Sequence, residues 1–157
     1  MLNYHEAQQF LFHEARLMDT HAYDDWLGLW ARKAHYWIPC NDDELDPARH
    51  ISLVNEDRAE IEFRIKRLKS GAHYAQDPKS RLSRVISNVE IAPGATASAV
   101  TLYSNFNLSA CRKAHIDVIA GRSEHAIILE DGAPRISRKR VILIDNDEVI
   151  KNLTFLV

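Results

Sequence analysis

The chain has 157 residues, 46% hydrophobic and 27% charged, with 20 basic against 22 acidic side chains. That length and composition suit one globular domain spanning residues 1–157 and argue against disorder. A formal charge of -2 gives no global field for nucleic acid or an anionic membrane.

The N-terminal MLNYHEAQQF lacks the basic and apolar regions of a signal peptide. No apolar run approaches the roughly 20 residues of a membrane helix. A cytoplasmic protein is therefore expected, with Cys40 and Cys111 as free thiols.

The first element is a helix over residues 4–19. Asn3 and Glu6 have the spacing of a reciprocal cap, and Ala7, Phe10, Leu11, Ala15 and Met18 form an apolar stripe. A second helix is expected over 22–31, because Tyr23, Trp26, Leu27 and Trp30 recur at helical spacing. Ala34 to Pro39 reads as a strand, and 40–52, polar and containing Pro47, as a loop. A third helix over 55–70 buries Ile61, Ile65 and Leu68. Its acidic first half and basic second half suit the helix dipole, and Gly71 supplies a left-handed cap. Phe63 falls off that stripe and is free to meet a neighbouring element or a partner chain.

Beyond a polar connection carrying Asp77-Pro78, the period changes to two. Val100, Leu102, Phe106, Leu108 and Ala110 alternate with Thr101, Tyr103, Asn105, Asn107 and Ser109. Strands are expected over 81–92, 97–111, 114–130 and 135–145, joined by turns that include Pro93-Gly94 and Asp131-Gly132. Residues 151–157 read as a last strand or an interface tail. Helices followed by a meander predict an α+β domain, with helices packed on the concave face of a curved, mostly antiparallel sheet.

Candidate chemistry is sparse. Neither Cys40 nor Cys111 has a histidine at the spacing an iron–sulfur site needs, and no H-E-x-x-H helix occurs among the eight histidines. No metal, cofactor-binding or catalytic set is expected in the chain itself. Arg138-Lys139-Arg140 alternates in direction along a strand and builds no nucleic-acid face. The aromatic group Tyr23, Trp26, Trp30, Tyr36 and Trp37 reads as core filling rather than a cavity lining. His115 and Asp117, two apart on a strand, form an acid–base pair if inward and a solvated or interface pair if outward. His13 and Glu14 on helix 1 carry low weight as chemistry. The neutral face of Thr101, Tyr103, Asn105, Asn107 and Ser109 suits either a protein interface or a polar cavity lining.

Four segments in order, FLFHEARLMDTHAYDDWLGLW (Phe10–Trp30), AHYWIP (Ala34–Pro39), EDRAEIEFRIKRLKSG (Glu56–Gly71) and SRLSRVISNVEI (Ser80–Ile91), resemble the small (β) subunit of aromatic-ring-hydroxylating dioxygenases. The resemblance runs from Phe10 to about Asp145. It implies the nuclear-transport-factor-2-like, or cystatin-like, cone and a structural subunit rather than the catalyst. The implied partner is a large α subunit carrying a Rieske [2Fe-2S] cluster and a mononuclear iron. The implied assembly is a β trimer beneath three α chains, fed with electrons by a reductase, often through a ferredoxin. The holoenzyme would convert an aromatic ring to a cis-dihydrodiol in aromatic catabolism. The alternative is a stand-alone isomerase, dehydratase or small-molecule-binding homo-oligomer of the same fold, with Tyr36, His115 and Asp117 as cavity residues.

Overall fold

The structure, a computed structural model, describes residues 2–41, 46, 48, 51–70, 79–147 and 155–157. Gly71, the Asp77-Pro78 connection, most of the 40–52 loop and residues 151–154 of the tail lie outside the described residues.

Helix α1 spans Tyr4–Asp19 and begins at the expected cap. The Glu6 amide donates to Asn3 Oδ1 at 3.0 Å, and the Asn3 amide donates back to Glu6 Oε2 at 2.7 Å. Helix α2 spans only Tyr23–Gly28, and strand β1 spans Trp30–Pro39. This corrects the expected helix over 22–31. Trp30 fits the 3.6-residue period, yet it opens β1 and pairs with Ile136.

Strand β2 (Ser52–Asp57) precedes helix α3 (Arg58–Lys69), a second correction. The acidic Glu56-Asp57 pair looks like a helix first turn, but Asp57 is the N-cap. It accepts from the Glu60 amide at 3.0 Å, and its own amide donates to Glu60 Oε2 at 2.8 Å. Ile61 and Ile65 of α3 are buried, Leu68 is partly buried, and Phe63 is exposed.

Strands β3 (Arg81–Ile91), β4 (Ala99–Arg112), β5 (His115–Glu130) and β6 (Ala133–Leu143) form the meander close to their expected bounds. The sheet order is β2-β1-β6-β5-β4-β3, antiparallel throughout except for the β1–β6 pair. Asp131 and Gly132 (φ 52° and 77°) turn β5 into β6 with the left-handed pair that a two-residue hairpin requires.

Alternation decides what each face carries. Val100, Leu102, Phe106, Leu108 and Ala110 of β4 are buried with Ile127, Val141 and Leu143. Helices α1 and α3 close over that side against β3 and β1. Thr101, Tyr103, Asn105, Asn107 and Ser109 occupy the opposite face, so they line no interior cavity.

Gly121 sits at a close approach of β5 to its neighbours. A Cβ there would stand 2.5 Å from the Ile142 carbonyl oxygen and 2.9 Å from the Phe106 ring. Backbone cannot yield as a flexible side chain can. Gly121→Ala is therefore expected to destabilise the fold by about 1–3 kcal/mol, measured by urea unfolding with an unchanged m-value.

Candidate functional site

The cone interior holds a polar cluster assembled from distant parts of the chain. Glu14 lies on the apolar stripe of α1, between Leu11 and Met18, and is buried. His125 occupies an inward register of β5 with Ser123 and Ile127, and Lys139 an inward register of β6 with Val141 and Leu143. The three converge. Lys139 Nζ donates to Glu14 Oε1 at 2.9 Å, and His125 Nε2 donates to Glu14 Oε2 at 2.9 Å. Trp26 Nε1 also donates to Oε1, at 3.2 Å.

These contacts fix the charge state of the carboxyl. Burial alone would raise its pKa. The Lys139 and His125 charges, with the hydrogen bonds they make, reverse that and hold Glu14 well below the usual carboxylate range. An ionised carboxylate only accepts, so the proton on the shared bond sits on His125 Nε2. His125 Nδ1 is buried and has no hydrogen-bond partner among the described residues.

The sign of the pH dependence follows. The folded-state pKa of Glu14 lies below its ordinary value of 4.5. Its stabilising contribution is present above about pH 4.5 and is lost as pH falls through the depressed folded value. Acid unfolding followed by circular dichroism is expected to show this limb, and Glu14→Gln is expected to flatten it.

Around the cluster sit two further ties. Arg84 of β3, its side chain 1% exposed, donates from Nη1 to Asp19 Oδ1 of α1 at 2.5 Å and from Nη2 to the Leu156 carbonyl. Tyr36 of β1 donates to the Val157 oxygen at 2.6 Å, and burial pushes its hydroxyl up to about 12. Leu156 and Val157 are thus packed inside the cone. The space left among Glu14, Met18, Ser104, Ser123, His125 and Val157 is about 10 Å³. That is room for about one water, whereas small-molecule sites run to roughly 300–1,000 Å³.

The expected cavity residues are not brought together. Tyr36 is interior. His115 and Asp117 lie at the β4–β5 tip, where the first residues of β5 are largely exposed on both faces. His115 Nε2 meets Asp117 Oδ1 there at 3.3 Å, with side chains 71% and 40% exposed. They share the register of the concave face, with Asp117 across from buried Ala110, but on a stretch the helices do not cover, so they form a solvated pair and not an interior acid–base pair. Of His13 and Glu14, only Glu14 is buried in the polar cluster.

The aromatic group divides. Trp26, Trp30 and Tyr36 pack edge to face or tilted, with centroids 5.2–6.0 Å apart, and fill the core. Trp37 points to the other side of the sheet, where Arg140 lies 4.8 Å over its ring.

Cys40 and Cys111 do not suit an iron–sulfur cluster. Cys40 follows β1 and Cys111 sits on β4, three strand spacings across the sheet and about five residues along it, so roughly 20 Å apart. Among the described residues no three His, Cys, Asp or Glu side chains are grouped to hold a metal ion.

The outer face of the sheet is uneven. Around β6 it carries charge, with Arg138 and Arg140 flanking Glu124. Toward the β4–β5 tip it carries Arg81 and Arg122 among neutral residues, and Val85, Ile116, Val118 and Ile144 are each more than 60% exposed. Cross-strand register places Val118 beside Ser109 and Ser83, and Val85 beside Asn107 and Ala120. An open groove of about 520 Å³ runs along this region past Asn105, Asn107, Arg122 and Asn146. These exposed apolar side chains, interleaved with Ser83, Asn107 and Ser109, are the most apolar part of the described outer face.

Comparison with known proteins gives this geometry a context. The family model described as ring hydroxylating beta subunit matches residues 13–151. The chain is 32% identical over 146 residues to the 2-halobenzoate 1,2-dioxygenase small subunit of Burkholderia cepacia, covering 90% of this chain and 88% of that one. It is 32% identical over 143 residues to the benzoate 1,2-dioxygenase subunit beta of Acinetobacter baylyi, covering 88% and 84%. The crystal structure of the benzoate 1,2-dioxygenase beta subunit of Burkholderia mallei superposes with a TM-score of 0.82 at 31% identity, covering 99% of each chain. The nuclear-transport-factor-2-like α+β cone expected from the resemblance is the fold found.

Proposed function

The chain belongs to the ring hydroxylating beta subunit family, and from that membership we propose that its work within an aromatic-ring-hydroxylating dioxygenase is structural rather than catalytic. It is the β subunit of such an oxidoreductase. The observation that carries the non-catalytic reading is the packing around the polar cluster: among the described residues the space there is about 10 Å³, too small for an aromatic ring.

On this reading the Rieske cluster and the mononuclear iron belong to the large α subunit. Three copies of the present chain form a base beneath three α chains and hold them in one orientation. Electrons arrive from NAD(P)H through a reductase, with or without a ferredoxin. The complex is cytoplasmic and serves aromatic catabolism. The part of the outer sheet face around the exposed Val85, Val118 and Ile144 is the surface that meets a neighbouring chain. A rigid cone suits this role, since a surface carried on strands keeps its shape better than one carried on loops.

Expression of the α subunit with and without this chain tests the proposal. Assembly and turnover are expected to depend on co-expression. Full assembly and turnover of α alone would contradict it.

A further inference from the structure

The interior cluster leaves one of its members incompletely paired. His125 is buried, and its Nε2 is committed to Glu14. Its Nδ1 is also buried and has no hydrogen-bond partner among the described residues. A ring nitrogen withdrawn from water in this way costs free energy until another polar group meets it.

The space beside it has a polar wall. Ser104 of β4 and Ser123 of β5 stand directly opposite each other across the ladder, and both are buried on the inward face. His125 follows Ser123 by two residues, so its side chain leaves the same face of the same strand. All three line the space of about 10 Å³, with Met18, Phe106 and Val157 among its apolar walls. Serine, His125 and the Glu14 carboxylate stand in the order of a nucleophile relay. Room for about one water admits no acyl substrate, so that reading fails on size.

We propose that this space is a binding site for a single water molecule, held by His125 Nδ1 and the Ser104 and Ser123 hydroxyls. About three polar partners is the usual complement of a buried water. Water and serine hydroxyls each donate and accept, so the set closes whether or not Nδ1 carries a hydrogen. An apolar occupant would leave the nitrogen unmet. An ammonium ion matches water in size, but Arg84 and Lys139 line the same space and repel a cation. The water carries the Glu14–His125–Lys139 cluster on to β4, so that α1, β4, β5 and β6 share one hydrogen-bonded network.

A high-resolution crystal structure of the full chain tests the site. One density peak is expected within about 2.7–3.2 Å of His125 Nδ1 and of both serine oxygens. Ordered side chains around that space with no peak would overturn the proposal, and a peak that misses Nδ1 would do the same. Oxygen-17 magnetic relaxation dispersion gives an independent reading in solution, since it counts waters held inside a protein for longer than its tumbling time. The Ser104→Ala/Ser123→Ala variant leaves the water one of its three partners, fewer than a buried water needs. Its dispersion amplitude is expected to fall by the equivalent of one water per chain, with circular dichroism unchanged. A folded variant with the parent's full amplitude would refute the site. Should the variant fail to fold, the crystal structure of the parent chain decides the question.

Discussion

Glu14→Leu is expected to be the most damaging single substitution in the interior, costing about 3–5 kcal/mol of stability. The reason is what it leaves behind. Lys139 and His125 are both buried, and Glu14 accepts from each and from Trp26 Nε1. Leucine fills the space but accepts nothing, so a buried ammonium loses its counter-charge and the His125 and Trp26 donors lose their acceptor. Desolvation by burial already pulls the Lys139 pKa down, and Glu14 is the main group opposing it. Without Glu14 the lysine is expected to shed its proton or to open the cone to water. The double variant Glu14→Leu/Lys139→Met is expected to recover most of the loss, because replacing both ends of a buried ion pair with apolar groups is often close to neutral. Chemical denaturation of the two variants side by side measures the difference. A Glu14→Leu protein as stable as the parent would mean that the triad is not paired as described.

Val118→Asp is expected to act in the opposite way, sparing the fold and breaking the complex. Val118 is 67% exposed on the outer face, with Ser109 directly across the ladder. A change at such a position usually moves stability by no more than about 0.5 kcal/mol. In an interface the same carboxylate would be buried without a partner, which costs several kcal/mol. That corresponds to a loss of affinity of about 100-fold or more. Size-exclusion chromatography of co-expressed α and β chains is expected to show a folded, unassembled β chain. Unchanged assembly would place the interface elsewhere on the molecule.

The two results bear on different layers of the protein, and the layers differ in how far the sequence exposes them. Local signals sufficed for α1, because cap and stripe lie within one helix, and for β3 to β6, because alternation over more than ten residues has one physical reading. They failed where two readings compete over a short span. Trp30 continues the apolar spacing of α2, so only its pairing with Ile136 shows that the strand expected from Ala34 begins four residues earlier. Strand β2 is six residues long, and its acidic end imitates the first turn of the helix it precedes.

The polar interior was harder still to see. Glu14 stands 111 residues from His125 and 125 from Lys139, so no motif spacing links them. One signal was present: Lys139 shares its register with Val141 and Leu143, and a lysine on the buried face of a strand needs a buried carboxylate. The pair His115 and Asp117 stayed open between two readings for the converse reason. A spacing of two guarantees a shared face, but it does not say whether that stretch of strand is covered. The division of the aromatics between the core and the outer face followed from strand parity, with Tyr36 inward and Trp37 outward.

The central claim is that this chain is the metal-free base of a larger oxygenase. The most direct measurement is native mass spectrometry, with iron analysis, of the complex recovered from its host through a tag on this chain. The account predicts three large and three small chains with iron in the assembly. An iron-free homo-oligomer with no large partner would contradict it.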